Sequence, residues 1–265
     1  GMGRDEALAS INEAVAAAYP GARVQVTREY ANSFSGFALS APAGAIDVIR
    51  SVSGVRCAFV EREASFSENE AVDSEGGFAA SRLPGQNPDN LGAQLMMHVD
   101  QVSQKGEGKV IAIIDSGVDT SHPAFAGALT GKPAMTAEDV AALAPQLGEG
   151  AAGVYLNEKF PFAYDYADGD NDASPAKTPN GSHGTHVAGI AAGNADKIVG
   201  TAPNTQVIVA KVTRSEDDAL LDSALLASLD DMLVLHPDVI NLSLGWTAGM
   251  DNEADSVYAT VYKKL

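Results

Sequence analysis

The stretch Lys109-Val110-Ile111-Ala112-Ile113-Ile114-Asp115-Ser116-Gly117-Val118-Asp119 decides the fold. Its apolar run shows no alternation, so both faces of the strand that it predicts are buried, as in a parallel sheet covered by helices. The run ends in an acid. In open α/β sheets the carboxyl ends of the strands are where ligands bind, so Asp115 is a candidate site residue from its position alone. Two further strands of the same kind are predicted, over 206–212 and 239–244. Between them, residues 218–236 carry Leu and Ala at helical spacing. Strand, helix and strand in that order imply an α/β domain with a parallel sheet. The Leu-rich stripe of residues 220–235 reads as core and not as a partner surface.

Outward from this centre the pattern changes. Leu95, Met96, Val99 and Val102 suggest a helix, and part of 137–147 a second. Residues 123–180 are otherwise weakly patterned, and Tyr164 to Pro179 read as an acidic loop. Upstream, residues 67–92 are small, acidic and without periodicity, which predicts an exposed linker. The domain division is therefore 1–66, 67–92 and 93–265. In the first unit Leu8, Ile11, Val15 and Ala18 predict a helix stopped by Pro20-Gly21. Strands follow at 23–27 and 33–39, then a helical stripe from Ala45 to Val52 closed by Gly54, then a strand at 55–60. The order α-β-β-α-β is a small α+β, ferredoxin-like arrangement without its first strand.

Composition narrows the function. The 265 residues hold 17 Lys and Arg against 35 Asp and Glu, a net charge of −18. Nucleic acid and anionic lipid both require a basic face, so neither is expected as a partner. No apolar run reaches about 18 residues, so no transmembrane segment is expected, and no signal-peptide pattern opens these residues. The single cysteine, Cys57, excludes an intrachain disulfide and a Cys-based zinc site; in a predicted strand it reads as core.

The second informative stretch is Asn180-Gly181-Ser182-His183-Gly184-Thr185-His186-Val187-Ala188-Gly189. His183 stands where a helix begins, and Gly184, Ala188 and Gly189 would let that helix pack closely. The N-terminal dipole alone disfavours an imidazolium there. A buried carboxylate would reverse this, fix the tautomer and stabilise the charged ring, which is what an Asp does for a general-base His. His186 reads as structural, because a three-residue separation is not the zinc-binding His-Glu-x-x-His pattern. Asp119 and His122 read as loop-ordering. Asp165, Asp168, Asp170 and Asp172 offer oxygens to calcium, but Ala173 and Pro179 stand where a calcium loop has its glycine and closing glutamate, and a solvated acidic loop is the simpler reading. Trp246 is open between shaping a substrate site and domain packing.

These segments carry a resemblance. Ile114-Asp115-Ser116-Gly117-Val118-Asp119 is similar to the aspartate motif of the subtilisin-like serine proteases, and His183-Gly184-Thr185-His186-Val187-Ala188-Gly189 to their histidine motif. Ile198-Val199-Gly200-Thr201-Ala202-Pro203 and Asp238-Val239-Ile240-Asn241-Leu242-Ser243-Leu244-Gly245 resemble two later segments, in the family's chain order of Asp before His. The resemblance implies a subtilisin-like catalytic domain over 93–265, incomplete, with Asp115 and His183 catalytic and Ser243, Leu244 and Gly245 lining the substrate cleft. The first unit resembles the family's propeptide through Phe34-Ser35-Gly36-Phe37 and Val52-Ser53-Gly54-Val55. The long insertion with Tyr164-Asp165-Tyr166-Ala167-Asp168 resembles the lactocepin-type cell-envelope proteinases.

The resemblance thus implies a serine endopeptidase precursor, secreted or associated with the cell envelope, acting on protein or peptide substrates with its own propeptide in the cleft. It needs no cofactor for catalysis; calcium would enter only as a structural ion. The family's Gly-Thr-Ser-Met-Ala nucleophile motif is absent, and none of Ser215, Ser223, Ser228, Ser243 and Ser256 has that context. The expectation is that the serine lies beyond this fragment and that these residues alone are inactive. The alternative is a non-catalytic propeptide and half-protease binding module, or a pseudoprotease. A sheet edge left open would favour oligomers.

Overall fold

The computed structural model describes residues 3–64, 91–178, 180–195, 198–245 and 252–265. Nearly all of the predicted linker, together with Pro179 and Trp246, lies outside them.

The elements run α1 (Arg4–Ala18), β1 (Gln25–Tyr30), β2 (Gly36–Ser40), α2 (Ile46–Ser51), β3 (Glu63–Ala64), α3 (Leu91–Met96), β4 (Val110–Asp115), α4 (Ala137–Leu143), β5 (Phe162–Asp165), α5 (His183–Ala192), β6 (Asn194–Ala195), β7 (Ile198–Val199), β8 (Gln206–Lys211), β9 (Leu220–Leu221), α6 (Asp222–Leu235), β10 (Val239–Asn241) and α7 (Asn252–Tyr262). The main sheet is parallel with strand order β10-β4-β8-β5. Its alternate residues feed two cores. Ala112, Ile114, Ile208, Ala210, Phe162 and Tyr164 meet Leu225, Leu229 and Met232 of α6. Ile113, Val207, Val209 and Ala163 meet Ala188 and Ala192 of α5 on the other face. The two-sided burial read from 109–115 is therefore a helix–sheet–helix sandwich, an α/β fold as expected. Full burial of a side chain such as Ile113 or Ile114 is worth about 1.5–3 kcal/mol.

Three expectations change. Phe162–Asp165, placed partly in a loop, is a fully buried strand pairing with β8. It is four residues long and sits in a stretch without periodicity, so no pattern announced it. Residues 55–60 form no paired strand; the chain pairs further on, where Glu63 and Ala64 run antiparallel to Leu221 and Leu220. The first unit therefore has a two-stranded β1-β2 sheet beneath α1 and α2, with Ile11, Val15, Ala45 and Ile49 as its small buried core. The helix predicted from 218 begins at Asp222, because Asp218 takes a left-handed conformation and residues 220–221 are extended.

The stripe of residues 220–235 is core, as expected, and the acids that α6 carries are met by other segments of the chain. Asp222, Asp230 and Asp231 of α6 are all buried, and a buried carboxylate is costly unless donors surround it. Asp230 accepts from the backbone N–H groups of Ala31, Asn32 and Ser33 and from the Ser33 hydroxyl. Asp222 accepts from Arg62 and from the Tyr258 hydroxyl. Arg28 adds an ion pair to Glu149 at 2.9 Å, and Tyr30 reaches into the larger core, its hydroxyl donating to Ser223 O at 3.2 Å. Sequence periodicity could not show this, since acids scattered through a Leu-rich helix look the same whether solvated or sealed.

Asp231 serves the sheet domain itself. It accepts from Gly148 N at 2.6 Å, Gly150 N at 2.7 Å and the Tyr166 hydroxyl at 3.0 Å. Burial pushes its carboxyl up to about 6, against the pull of those donors. A carboxyl with a folded pKa above its unfolded one adds stability below the unfolded value and loses it as pH rises through the folded one. Urea denaturation of the parent and of Asp231→Asn should therefore diverge with pH. The parent loses stability relative to the variant between about pH 4 and about pH 6; a difference that is flat across this window contradicts the assignment.

Candidate functional site

The site forms at the carboxyl end of β4, where the chain turns toward α5. Asp115 is 1% exposed, and its Oδ1 lies 2.7 Å from Nδ1 of His183, the first residue of α5. A carboxylate only accepts, so Nδ1 is the donor in this contact. The His183 side chain keeps 34% of its surface exposed while its partner keeps 1%, so a carboxyl group sealed in protein orients a ring that opens outward. Asp115 Oδ2 is buried with no hydrogen-bond partner among the described residues. Asp115 and His183 are thus brought together, as the sequence predicted.

What holds them was not assigned a role from the sequence. Ser116, fully buried, donates its hydroxyl to Gly181 O and accepts from Gly184 N, both at 3.0 Å, which ties the first turn of α5 to the end of β4. Its own N–H donates to Asp115 Oδ1 at 2.7 Å. Thr185 Oγ1 accepts from Asp119 N at 2.9 Å, a second tie between the same segments. Gly117 makes the turn with φ +96°, a conformation that side chains disfavour, and a Cβ there would stand 2.7 Å from Ala173 O. A Cβ on Gly184 would stand 2.3 Å from Gly117 O. Of the three small residues expected to permit close packing, Gly184 and Ala188 do so, whereas nothing lies within 4 Å of a Cβ at Gly189. Asp119 and His122 order the loop: Asp119 Oδ1 accepts from Ser121 N at 3.0 Å, and His122 Nδ1 from Ala124 N at 3.1 Å.

One sheet row carries a further charged set. Asp115, Lys211 and Asp165 are register partners at the ends of β4, β8 and β5. Lys211 is fully buried; its Nζ pairs with Asp165 and reaches Asp168 at 3.2 Å and Ser215 Oγ at 2.6 Å. Burial raises the Asp165 carboxyl, against the pull of Lys211. Two of the four aspartates considered for calcium are thus engaged by a lysine, while Asp170 and Asp172 accept loop N–H groups from Asp172 and Ser174. Among the described residues no group of three or more His, Cys, Asp or Glu side chains is arranged to hold a metal ion. The signal for Lys211 was present, a lysine closing an otherwise apolar strand, but its partners lie 43 and 46 residues away in the chain.

Ser243, Leu244 and Gly245 continue from β10, which pairs with β4, and so stand at the same end of the sheet as Asp115. Ser243 and Gly245 are exposed, and Leu244 packs against the larger core. The segment that pairs with β9 lies beyond the carboxyl end of β8, on that side too.

The chain has relatives among known proteins. The subtilase family profile matches residues 106–263. The PII-type proteinase of Lactococcus lactis subsp. cremoris is 34% identical over 186 residues, which cover 66% of this chain and 10% of that protein. The minor extracellular protease Vpr of Bacillus subtilis is 26% identical over 228 residues, covering 83% of this chain and 24% of that protein. Among solved structures, the Clostridium perfringens CspB protease aligns with a TM-score of 0.40 and 20% identity, over 65% of this chain and 36% of that one. The chain spans about a tenth of the length of the lactococcal relative.

The close approach of α5 to β4 is testable without activity. Gly184→Ala forces the helix away from Gly117 O, which should cost about 1–3 kcal/mol in urea denaturation and abolish the downfield Nδ1–H proton signal of His183. Gly189→Ala should keep that signal and leave stability unchanged or raised by up to about 1 kcal/mol.

Proposed function

The chain belongs to the subtilase family, and on that premise we propose that it is part of a serine endopeptidase precursor in which Asp115 and His183 are two members of an Asp-His-Ser triad. The observation that carries this is the 2.7 Å contact between the sealed Asp115 carboxylate and His183 Nδ1 at the carboxyl end of the sheet. In the reaction, Nε2 of His183 takes the proton of a serine hydroxyl as its oxygen attacks the peptide carbonyl, then returns it to the leaving amine. Asp115 holds the tautomer and balances the charge on the ring in between. Ser243, Leu244 and Gly245 supply backbone to an extended substrate. No Gly-Thr-Ser-Met-Ala segment occurs in the 265 residues, so the serine comes from polypeptide outside them.

Residues 1–66 act as the propeptide, a reading supported by the contacts of Tyr30 with the Ser223 carbonyl and of Asp230 with the 31–33 backbone, and by the β3–β9 pairing. Processing falls somewhere within about residues 61–92, the acidic stretch between the two units. The substrates are proteins or peptides. A secreted or envelope-associated place is supported by the kinship with the Bacillus extracellular protease, and no helix among the described residues is long and apolar enough to cross a membrane. Calcium, if it serves here, is structural.

The decisive experiment places the downstream coding sequence after residue 265 and measures peptide hydrolysis. His183→Ala should lower turnover on the order of a millionfold, as loss of the histidine does in subtilisin; unchanged turnover refutes the assignment. The 265-residue chain alone should not label with a fluorophosphonate, and labelling of one of its own serines would overturn the placement of the nucleophile. A longer chain that also fails to label would leave the second reading, a non-catalytic binding module, which the missing motif favours. Self-association of the isolated chain is expected through β10, an edge strand of the described sheet whose Val239 is 56% exposed. Light scattering showing only monomer would exclude it.

A further inference from the structure

The short strand β9 and the start of α6 hold residues 61–64 with more chemistry than a backbone pairing needs. The pairing itself is antiparallel, Glu63 to Leu221 and Ala64 to Leu220, and it is extended by Asp222 N donating to Arg62 O at 3.3 Å. Such strand addition gives affinity without regard to sequence; selectivity has to come from side chains. Here three successive side chains are each met by a group of opposite charge or polarity. The Glu61 carboxylate accepts from Ser223 N, in the first turn of α6, at 2.9 Å. The Arg62 guanidinium grips Asp222 through Nε and NH2, each at 2.8 Å, while Arg62 N donates to the same carboxylate at 3.0 Å. Glu63 faces Arg214, with both nitrogen–oxygen distances 3.0 Å.

We propose that β9 and the N-terminal end of α6 form a recognition site for an extended peptide carrying an arginine between two glutamates, with Asp222 as the residue that selects the arginine. This rests on reading the carboxyl end of the sheet as the peptide path of a peptidase; residues 61–64 are then its occupant in the precursor, and a substrate or a peptide in trans takes the same place when they leave. Asp222 dominates the selection because it is sealed. Its side chain is 2% exposed, against 49% to 54% for the carboxylates around Arg214. An arginine arriving on Asp222 makes a forked, charge-assisted contact. A neutral side chain in its place leaves a buried charge with the Tyr258 hydroxyl, at 2.6 Å, and a backbone donor. The Glu63 position is exposed and screened, so it contributes a preference of only a few-fold.

The test reads binding and not hydrolysis, so its failure leaves the Asp115–His183 assignment untouched, and a chain without peptidase activity still answers it. In the 265-residue chain, Arg62→Ala together with Glu63→Ala frees the ledge from its own segment. A fluorescein-labelled peptide of residues 58–66 is then titrated and followed by anisotropy, against the same peptide with Arg62→Ala. The parent peptide should bind about tenfold or more tightly than the substituted one. Adding Asp222→Asn to the chain should erase that difference. Because a change at a buried carboxylate can prevent folding, the exposed Arg214→Glu provides a second arm: it should reverse the preference between the parent peptide and one with Glu63→Lys, leaving the arginine preference in place. Equal binding of the parent and Arg62→Ala peptides, or no binding of either at millimolar concentration, overturns the proposal.

Discussion

The turn after β4 and the first turn of α5 lie so close that a Cβ on Gly184 would stand 2.3 Å from Gly117 O, and the rest of the site depends on that approach. It brings the first residue of α5 over the last residue of β4, so a carboxylate fixed in the sheet meets an imidazole fixed in a helix. Both partners are carried on rigid elements, and the Ser116 hydroxyl and the Thr185 hydroxyl close the seam between them. Such support is what keeps the Asp115–His183 pair within hydrogen-bond range. The Lys211–Asp165 pair extends the same logic along the sheet row, holding the ends of β8 and β5 level with Asp115.

The other face of the sheet works through a different constraint. α6 is apolar enough to be core, yet it carries three acids, and each is satisfied by donors from another segment. A buried acid that must find donors is a specific instruction about which loop sits where, since an apolar surface would accept many neighbours and a carboxylate accepts few. In this chain Asp230 names the loop after β1, Asp222 names the segment around Arg62, and Asp231 names the turn at 148–150. Registration of the first unit on the second comes from the hydrogen bonds of Asp230 and Asp222, and affinity from the burial of Tyr30 and its neighbours.

Much of this was legible in the residues. The apolar run before Asp115, the strand at 206, the Leu-rich helix and the histidine segment each have a local signature, and the α/β sheet with Asp115 beside His183 followed from them. What stayed hidden was non-local. β5 is four residues whose burial comes wholly from its neighbours, so it has no period to detect. Arg62 and Asp222 are 160 residues apart, and neither looks unusual among its own neighbours. The strand predicted at 55–60 had adequate local propensity but no partner there. Pairing occurs instead at 63–64, where the edge of β9 and the pull of a buried carboxylate act together. Local pattern proposes strands; the sheet edge that is available decides which of them form.

The modest interior of the first unit has a consequence for its stability. Among the described residues Ile11, Val15, Ala45 and Ile49 are its sealed core, while the buried ring of Tyr30 is lodged in the interior of the other unit. A module of this size keeps little stability of its own once that ring is withdrawn. Loss of its contacts with α6 and loss of its own fold are therefore coupled.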